Sequence, residues 1–251
     1  MDRHLTILTG ASRGMGQAMA LQLIDAGHDV LCISRHHNDE LGQRATDRGA
    51  RCDQWPQDLT RPEVAGARLE GWLAQHGPDA FASATLINNA ALLPRIGPLS
   101  ILSPTDVADT MRVDLEAPLV LTAVFLRATA AWKGVRKVLN ISSGLGRRAM
   151  ASQALYCAAK AGMDHFTRCV ALEEAARPNG ARVCSLAPGI IDTEMQVQLR
   201  TADVALMPDV GNFVDYKEKG MLASPPEAAA RVLAYLARPD FGSNPVGSVN
   251  D

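Results

Sequence analysis

Short runs of Val, Ile and Leu alternate along the chain with longer stretches in which apolar residues recur at helical spacing. The short runs lack polar alternation, which is typical of strands covered on both faces. They lie at 5–9, 29–34, 83–88, 135–141 and 181–187. The longer stretches lie at 14–26, 38–48, 61–76, 104–132, 152–177 and 225–237. This alternation predicts an α/β fold: a single domain over residues 1–251, with a doubly wound parallel sheet and helices on both faces.

Two segments depart from this alternation. Residues 193–222 are mixed in composition and rich in Met, without a strand pattern. An insertion of that length is typical of a functional segment, so we expect a lid over the substrate there. The last ten residues, 242–251, leave room only for a short final strand.

Composition limits the classes of partner. The 251 residues carry a net charge of −2 and are 47% hydrophobic, which does not favour a nucleic acid or an acidic membrane surface as partner. No apolar run reaches about 18 residues, and Met1-Asp2-Arg3-His4 does not resemble a secretory signal. The five cysteines show no CxxC pair and no metal-ligand spacing. We therefore expect buried thiols, no metal and a cytoplasmic protein.

A glycine-rich run, TGASRGMG at residues 9–16, lies between the first predicted strand and the first predicted helix. Glycines let a ligand approach the backbone, and a helix N-terminus offers unpaired N–H groups and the positive end of the helix dipole. The run therefore predicts a site for the diphosphate of a dinucleotide. Its spacing differs from GxGxxG, and alone it is a weak signal.

The end of the second strand favours one dinucleotide over the other. Many such folds place a carboxylate about 20 residues after the glycines to bind the ribose 2′-hydroxyl. This chain has Arg35 there, and its first carboxylate is Asp39. Arg35 and Arg13 can instead pair with a 2′-phosphate. Either arginine alone is equally well interpreted as a solvated surface residue, but together they predict NADP(H).

Three side chains suggest carbonyl chemistry. Tyr156 and Lys160 are four residues apart on a predicted helix and so share one face. A nearby ammonium lowers the pKa of a phenol, which makes the phenol a usable proton donor and acceptor. Ser143 ends an apolar strand at the edge where open α/β sheets bind ligands, and there it can polarise a carbonyl. Each signal also has a simpler interpretation when it is taken alone. The pattern YxxxK occurs by chance on many helices, and Ser143 is then a serine of a local turn.

Five motifs occur together in the order and spacing of the short-chain dehydrogenase/reductase family, which the chain resembles from residue 5 to about residue 240. They are TGASRGMG, Asn88-Asn89-Ala90, Ile141-Ser142-Ser143, YCAAK and Pro188-Gly189-Ile190-Ile191-Asp192-Thr193. The resemblance implies a Rossmann-type fold in which Tyr156 donates the proton to the carbonyl oxygen. It also implies that Lys160 lowers the pKa of Tyr156 and holds the nicotinamide ribose, and that Ser143 orients the carbonyl.

The same resemblance, with the two arginines added, implies a set of cofactor-binding residues at the carboxyl ends of the strands. The set is Gly10, Ser12, Arg13, Gly14, Met15, Gly16, Arg35, Asp58, Leu59, Asn89, Ala90, Ala91, Tyr156, Lys160, Pro188, Gly189, Ile191 and Thr193. Family members usually have Gly at the position of Ala91.

A second departure from the family pattern concerns the proton relay. The family usually has an asparagine in a Val-Asn-Leu stretch of the long helix, where it holds a water that leads to the lysine. This chain has Val113-Asp114-Leu115. We hypothesise that Asp114 belongs to the catalytic residues as part of an altered relay. A carboxylate there would raise the pKa of Tyr156. An ion pair that only steadies the helix is the alternative.

Softer matches at 117–119, 142–146, 192–196 and 223–230 resemble the benzil reductase and sepiapterin reductase branch. They imply an NADPH-dependent carbonyl reductase acting on a ketone or α-diketone, with an aromatic or pteridine-like substrate. The alternatives are an NADP(H)-binding sensor without turnover and an alcohol dehydrogenase working in the oxidising direction.

Apolar residues of the lid and of two strand ends are expected around the substrate or in the local core. They are Leu92, Leu93, Leu145, Met150, Met195, Val197, Leu199, Leu206, Met207, Phe213 and Tyr216. Arg147 and Arg148 could meet an anionic substrate, although a solvated pair is the simpler interpretation.

By analogy with related subunits, the helices at 104–132 and 152–177 would pair with their copies in a homodimer or homotetramer.

Overall fold

The computed structural model describes residues 3–251, so Met1 and Asp2, which begin the N-terminal segment considered above, lie outside the described residues. A seven-stranded parallel sheet runs through the described chain in the order β3-β2-β1-β4-β5-β6-β7. The strands are β1 (His4–Thr9), β2 (Asp29–Ser34), β3 (Cys52–Pro56), β4 (Ser83–Asn88), β5 (Val135–Ile141), β6 (Arg182–Ala187) and β7 (Val246–Ser248). All strand runs predicted from the sequence are present, and β7 is the short final strand.

Helices cover both faces of this sheet, as the alternation of patterns predicts. They are α1 (Gly14–Asp25), α2 (Asp39–Arg48), α3 (Pro62–Leu73), α4 (Pro104–Met111), α5 (Ala117–Ala128), α6 (Ala154–Ala175), α7 (Glu194–Arg200), α8 (Val210–Glu218) and α9 (Pro225–Ala237). None of the helices within residues 3–251 is both long and apolar enough to cross a membrane.

The inner strands bury both of their faces, which explains their unbroken apolar runs, whereas the edge strand β3 has exposed residues and buries only Trp55. On β2, Val30 and Cys32 pack towards α1, α2 and α9. Leu31 and Ile33 point the other way and pack towards α3 and α5. The domain is therefore a three-layer α/β structure with one core on each side of the sheet.

Local sequence signals start several helices. Ser103 caps α4 through a capping box with Asp106, and Ser224 caps α9 through a capping box with Glu227. In both cases the serine oxygen satisfies an otherwise unpaired N–H at the first turn. These caps fix where the helices begin, beside the sheet edge that carries the site.

The structure corrects the long helix predicted at 104–132. Its α-helical parts are α4 and α5, and the turn that joins them, Arg112–Glu116, is π-helical. The helix ends at Ala128, where the Thr129 hydroxyl donates a hydrogen bond to the carbonyl of Phe125. A π-helical turn widens a helix locally and is frequent at functional sites. Here it contains Asp114.

The strand order reverses beside β1, where the chain crosses from β3 back to β4. At such a switch point the loops after neighbouring strands turn to opposite faces and leave a crevice at the carboxyl ends. The loops after β1 and β4 border this crevice.

Candidate active site

A cleft of about 1420 Å³ follows the carboxyl ends of the strands. Apart from Asp114, every residue predicted from the sequence to bind the cofactor or to take part in catalysis lines this cleft. The structure therefore gathers motifs from along the chain into one place. Their individual roles stay predictions.

The glycine turn after β1 has no room for side chains at two of its positions. Gly10 has a φ of +70°, and a Cβ there would lie 2.8 Å from the Cα of Ala90. A Cβ on Gly16 would lie 2.1 Å from the carbonyl oxygen of Gly10. The turn is thus packed directly against the backbone of the loop after β4, as a close-approach motif requires.

The helix that follows this turn is open at its N-terminus. Arg13 occupies the N-cap position of α1 without a side-chain hydrogen bond to the helix, and the first turn contains no acidic residue. Its first N–H groups, with the positive end of the helix dipole, are therefore available for a phosphate. The glycine cradle and this helix end together fit a dinucleotide diphosphate.

Two polar side chains hold the turn in place. The hydroxyl of Thr9 accepts hydrogen bonds from the N–H groups of Asn89 and Ala90, each at 2.9 Å. The Asn89 amide donates in return to the carbonyl oxygens of Thr9 and Gly10, at 3.0 and 3.2 Å. The loops after β1 and β4 are thereby locked together across the switch point.

The far end of the cleft carries the arginines considered above. Arg13 and Arg35 are both exposed and both line it. Between them, the Ser34 hydroxyl accepts a 2.8 Å hydrogen bond from the N–H of Ala11, which ties the end of β2 to the glycine turn. Asp58 and Leu59, after β3, complete this end of the cleft.

A chain of buried amides fixes the strand that leads to Ser143. The Asn88 amide donates to the side-chain oxygen of Asn140 at 2.8 Å, and Asn140 donates to the hydroxyl of Thr167 on α6 at 2.9 Å. These bonds join β4, β5 and α6 in the dry core, where hydrogen bonds are strong and unpaired groups are costly. Ser143 therefore projects from a rigid strand end.

Tyr156 and Lys160 lie on the same face of α6, as predicted. The Lys160 ammonium lies 5.5 Å from the centroid of the Tyr156 ring and donates a 2.9 Å hydrogen bond to the carbonyl of Ile141. Lys160 is buried, and burial lowers its pKa, while the charges of Asp114 and Asp164 act in the opposite direction. Both carboxylates therefore help to keep the ammonium charged.

Asp114 lies behind this pair and does not line the cleft. One of its oxygens, Oδ1, accepts a 2.6 Å hydrogen bond from the N–H of Leu92. The other, Oδ2, is buried and has no hydrogen-bond partner within residues 3–251. Burial raises the pKa of Asp114 to about 6, although Lys160 and the Leu92 N–H both lower it. A carboxyl with a free oxygen and a pKa near neutrality is suited to hold or pass a proton.

The pKa of Tyr156 corrects one sequence-based expectation. Burial raises this pKa well above its ordinary value, and the charge of Asp114 raises it further, while hydrogen bonding with Ser143 lowers it. The effect expected of a carboxylate at position 114 is confirmed. The net pKa of Tyr156 is thus raised and not lowered, because burial of the phenol dominates, and the lowering assigned to Lys160 stays a prediction.

Residues 193–222, the segment predicted to be a lid, contain α7 and α8 around a small core formed by Leu199, Met207 and Phe213. Most of the apolar residues predicted to surround the substrate do line the cleft. Leu206 and Met207 do not line it: Met207 is fully buried in the small core, and Leu206 is half-buried outside the cleft. The prediction of buried cysteines is also corrected: Cys169 is exposed on α6, whereas Cys32 and Cys184 are buried.

Sequence reasoning missed several polar residues of the site. Ser34 and the buried Asn140 have structural hydrogen-bonding roles, and their patterns resemble any strand end. Asp164 lies one helical turn after Lys160 and accepts a 2.6 Å hydrogen bond from the Ser185 hydroxyl. The spacing of four residues after Lys160 was a usable signal for Asp164. Gln153 and Gln196 also line the cleft.

Comparisons with known proteins agree with this geometry. The family model described as short chain dehydrogenase matches residues 4–204. A benzil reductase ((S)-benzoin forming) of Bacillus cereus is 31% identical over 245 residues, which are 98% of each chain. A sepiapterin reductase of Bos taurus is 32% identical over 257 residues and covers 97% of this chain and 93% of its own.

A solved structure gives the same result in three dimensions. A metagenomic short-chain oxidoreductase in complex with NADP superposes with a TM-score of 0.72 at 26% identity, over 94% of this chain and 92% of that one. With a Rossmann-type sheet, a glycine turn and a Tyr–Lys pair in one cleft, the chain belongs to the short-chain dehydrogenase/reductase family and is an oxidoreductase.

Proposed function

We propose that the protein is an NADPH-dependent carbonyl reductase that converts a ketone or α-diketone to the alcohol. One observation carries the proposal: the Ser143 and Tyr156 side chains share a single cleft with a glycine cradle that fits a dinucleotide diphosphate. When bound, NADPH supplies the hydride. The protein supplies binding, orientation and the proton.

Each of the three side chains has one task in this mechanism. Ser143 donates a hydrogen bond to the substrate oxygen and orients the carbonyl, and Tyr156 gives that oxygen its proton. Lys160 and the positive end of α1 provide fixed positive charge in the cleft. Because the pKa of Tyr156 is raised, the phenol carries its proton throughout the neutral range. That is the protonation state in which the phenol can donate a proton during reduction.

NADP(H) is proposed over NAD(H) on the charges at the ribose end. Arg13 and Arg35 flank this end of the cleft, and guanidinium groups bind phosphate through paired hydrogen bonds. The similar metagenomic oxidoreductase was solved with NADP.

The substrate end of the cleft is lined by Leu93, Leu145 and Met150, which suits an apolar or aromatic carbonyl compound. The names of the two curated relatives describe such compounds.

The setting of the enzyme is part of the proposal. We place it in the cytoplasm, as its five unpaired cysteines suggest for a reducing compartment. We also propose that α4–α5 and α6 pair with a second copy in a homodimer or homotetramer, and that residues 193–222 act as the substrate lid.

A substrate panel tests the function. Benzil, sepiapterin and a simple aliphatic ketone would each be assayed by the loss of NADPH absorbance, and then with NADH. The proposal expects steady turnover of at least one aromatic or pteridine carbonyl, with a clear preference for NADPH. Tight NADPH binding without turnover of any carbonyl would instead support the sensor alternative.

A further inference from the structure

Two glutamine side chains lie in the wall of the cleft with unpartnered polar atoms. Gln153 is 2% exposed and Gln196 is 8% exposed, so both are buried. Gln153 Nε2 and Gln196 Oε1 have no hydrogen-bond partner within residues 3–251, and both residues line the cleft. Buried amides are normally paired, because leaving one unpaired forfeits its bonds to water without replacement.

The backbone beside Gln153 is constrained, which fixes the position of this residue. Gln153 directly precedes α6 and does not use its side chain to cap that helix. Ser152 before it has a φ of +62°, the one positive φ among non-glycine residues of the described chain. Its hydroxyl donates to the carbonyl of Leu206 in the lid at 2.5 Å. A strained residue held in this way is typical of a functional site.

Gln196 comes from a different element, α7, in the predicted lid segment. Met195, Val197 and Phe213 of that segment also line the cleft, together with the charged residues Glu194 and Arg200. Each amide therefore brings to the cleft wall one buried polar atom that no group within residues 3–251 satisfies. Such groups fix the orientation of a ligand rather than add bulk affinity.

We propose that Gln153 and Gln196 form a polar subsite for a second oxygen of the substrate, adjacent to the carbonyl that Tyr156 protonates. Side chains three residues apart near a helix start are about 5–6 Å apart at Cβ, so one small molecule can contact both Gln153 and Tyr156. The Gln153 amide donates to a neighbouring carbonyl, and rotation of the Gln196 amide lets it accept from a hydroxyl or donate to a carbonyl. The favoured class is the α-diketone or α-hydroxy ketone. This inference rests on the proposed carbonyl reduction.

A matched substrate pair isolates the subsite. Benzil has two adjacent carbonyls, and deoxybenzoin has a methylene in place of one of them. We would measure kcat/KM for both with NADPH in the wild type and in Gln153→Met and Gln196→Met. Gln75→Met, at an exposed position after α3, is the control. For each variant we take the ratio of kcat/KM for benzil to kcat/KM for deoxybenzoin. The greater intrinsic reactivity of benzil affects this ratio equally in every variant, so it does not affect the comparison.

For Gln153→Met the subsite predicts a fall of about tenfold or more with benzil and a change within about twofold with deoxybenzoin, since one hydrogen bond is lost with only one substrate. Gln196→Met shifts the ratio in the same direction, and Gln75→Met leaves it unchanged. An unchanged ratio in both cleft variants, or equal losses on both substrates, overturns the subsite.

A binding measurement separates this inference from the reductase proposal. Calorimetric titration of benzil and deoxybenzoin into the NADP⁺-loaded protein needs no turnover. If the wild type turns over neither compound but prefers benzil in binding, and Gln153→Met loses that preference, the subsite stands and their reduction fails. If turnover is present but the variants bind and reduce both compounds with wild-type selectivity, the reductase proposal stands and the subsite is overturned.

Discussion

Asp114 is the residue whose chemistry differs most from the pattern that its sequence motif predicts. It is a buried carboxyl with one oxygen held by the Leu92 N–H and the other unpaired. Its pKa of about 6 means that the proton occupancy of Asp114 changes within the working pH range of most enzymes. The same charge raises the pKa of Tyr156. We therefore expect Asp114 to act on the reaction through Tyr156 and Lys160.

Replacement of Asp114 by Asn tests this coupling. Loss of the negative charge removes one cause of the raised pKa of Tyr156, so the phenolate forms at lower pH. In the oxidising direction, with benzoin and NADP⁺, the rising limb of log kcat against pH is expected to move to lower pH by about one unit. Asp79→Asn, at an exposed carboxylate that pairs with Lys133 away from the cleft, is the control. A profile that Asp114→Asn leaves unchanged would end the relay hypothesis.

Arg35 is the residue that we expect to determine the choice between NADP(H) and NAD(H). It is exposed at the ribose end of the cleft, beside the hydrogen bond that joins Ser34 to Ala11. A charge-assisted hydrogen bond to a phosphate is worth about 1.5–3 kcal/mol, so Arg35→Ala is expected to raise the KM for NADPH about tenfold to a hundredfold. The KM for NADH should change little.

Arg44→Ala is a matched control for Arg35→Ala, because Arg44 pairs with Asp25 on the surface of α1 and α2. It should leave both KM values as in the wild type. Equal effects of Arg35→Ala on NADPH and NADH would contradict the assignment of a 2′-phosphate to this end of the cleft.

At the scale of elements, we expect cofactor binding to depend most on the glycine turn and α1. Gly16→Ala forces a Cβ against the carbonyl of Gly10, and neither backbone segment can move far. We expect a loss of about 1–3 kcal/mol in the free energy of unfolding, measured by urea denaturation. NADPH fluorescence titration should show affinity at least about tenfold weaker, since 1.4 kcal/mol is a factor of ten.

Gly71→Ala is the matched control, since its Cβ on α3 would meet nothing within 4 Å. That change should stabilise the protein by up to about 1 kcal/mol through helix propensity, without effect on NADPH binding. Wild-type affinity in Gly16→Ala would place the diphosphate elsewhere.

The elements also show what sequence can and cannot predict. The glycine turn, the shared face of Tyr156 and Lys160 and the apolar strands follow from local pattern and were predicted. The edge strand β3 was not among the predicted runs, because its sequence, CDQWP, has no apolar run. The π-helical turn at 112–116 was not predicted either, because it depends on packing between elements. A Cβ on Gly162 of α6 would lie 3.0 Å from the Leu115 side chain, so α6 fits closely against this turn. The unpartnered amides of Gln153 and Gln196 likewise exist only once α6 and α7 are brought together.

At the scale of the whole molecule, α4, α5 and α6 present apolar residues outward. Leu172 is 76% exposed, Leu119 is 40% exposed and Val107 is 37% exposed. A large exposed leucine on each of two neighbouring helices is the composition expected of an interface with a second copy. It supports the proposed homo-oligomer.

Leu172→Glu tests that assembly by placing a charge at the proposed interface. Sedimentation velocity is expected to show a dimer or tetramer for the wild type and a shift towards the monomer for the variant, because burying an unpaired charge is costly. Val204→Glu, at a similarly exposed valine in the lid segment, should keep the wild-type state. A monomeric wild type would contradict the proposal.

The central claim is that Tyr156 delivers the proton to a carbonyl oxygen in the cofactor cleft. The most direct measurement compares wild type and Tyr156→Phe for NADPH binding by fluorescence and for NADPH consumption with benzil at neutral pH. The account predicts nearly unchanged NADPH affinity and a rate lower by about 10²–10⁴-fold, the usual contribution of a positioned proton donor. A Phe variant that binds NADPH and reduces benzil at the wild-type rate would contradict it.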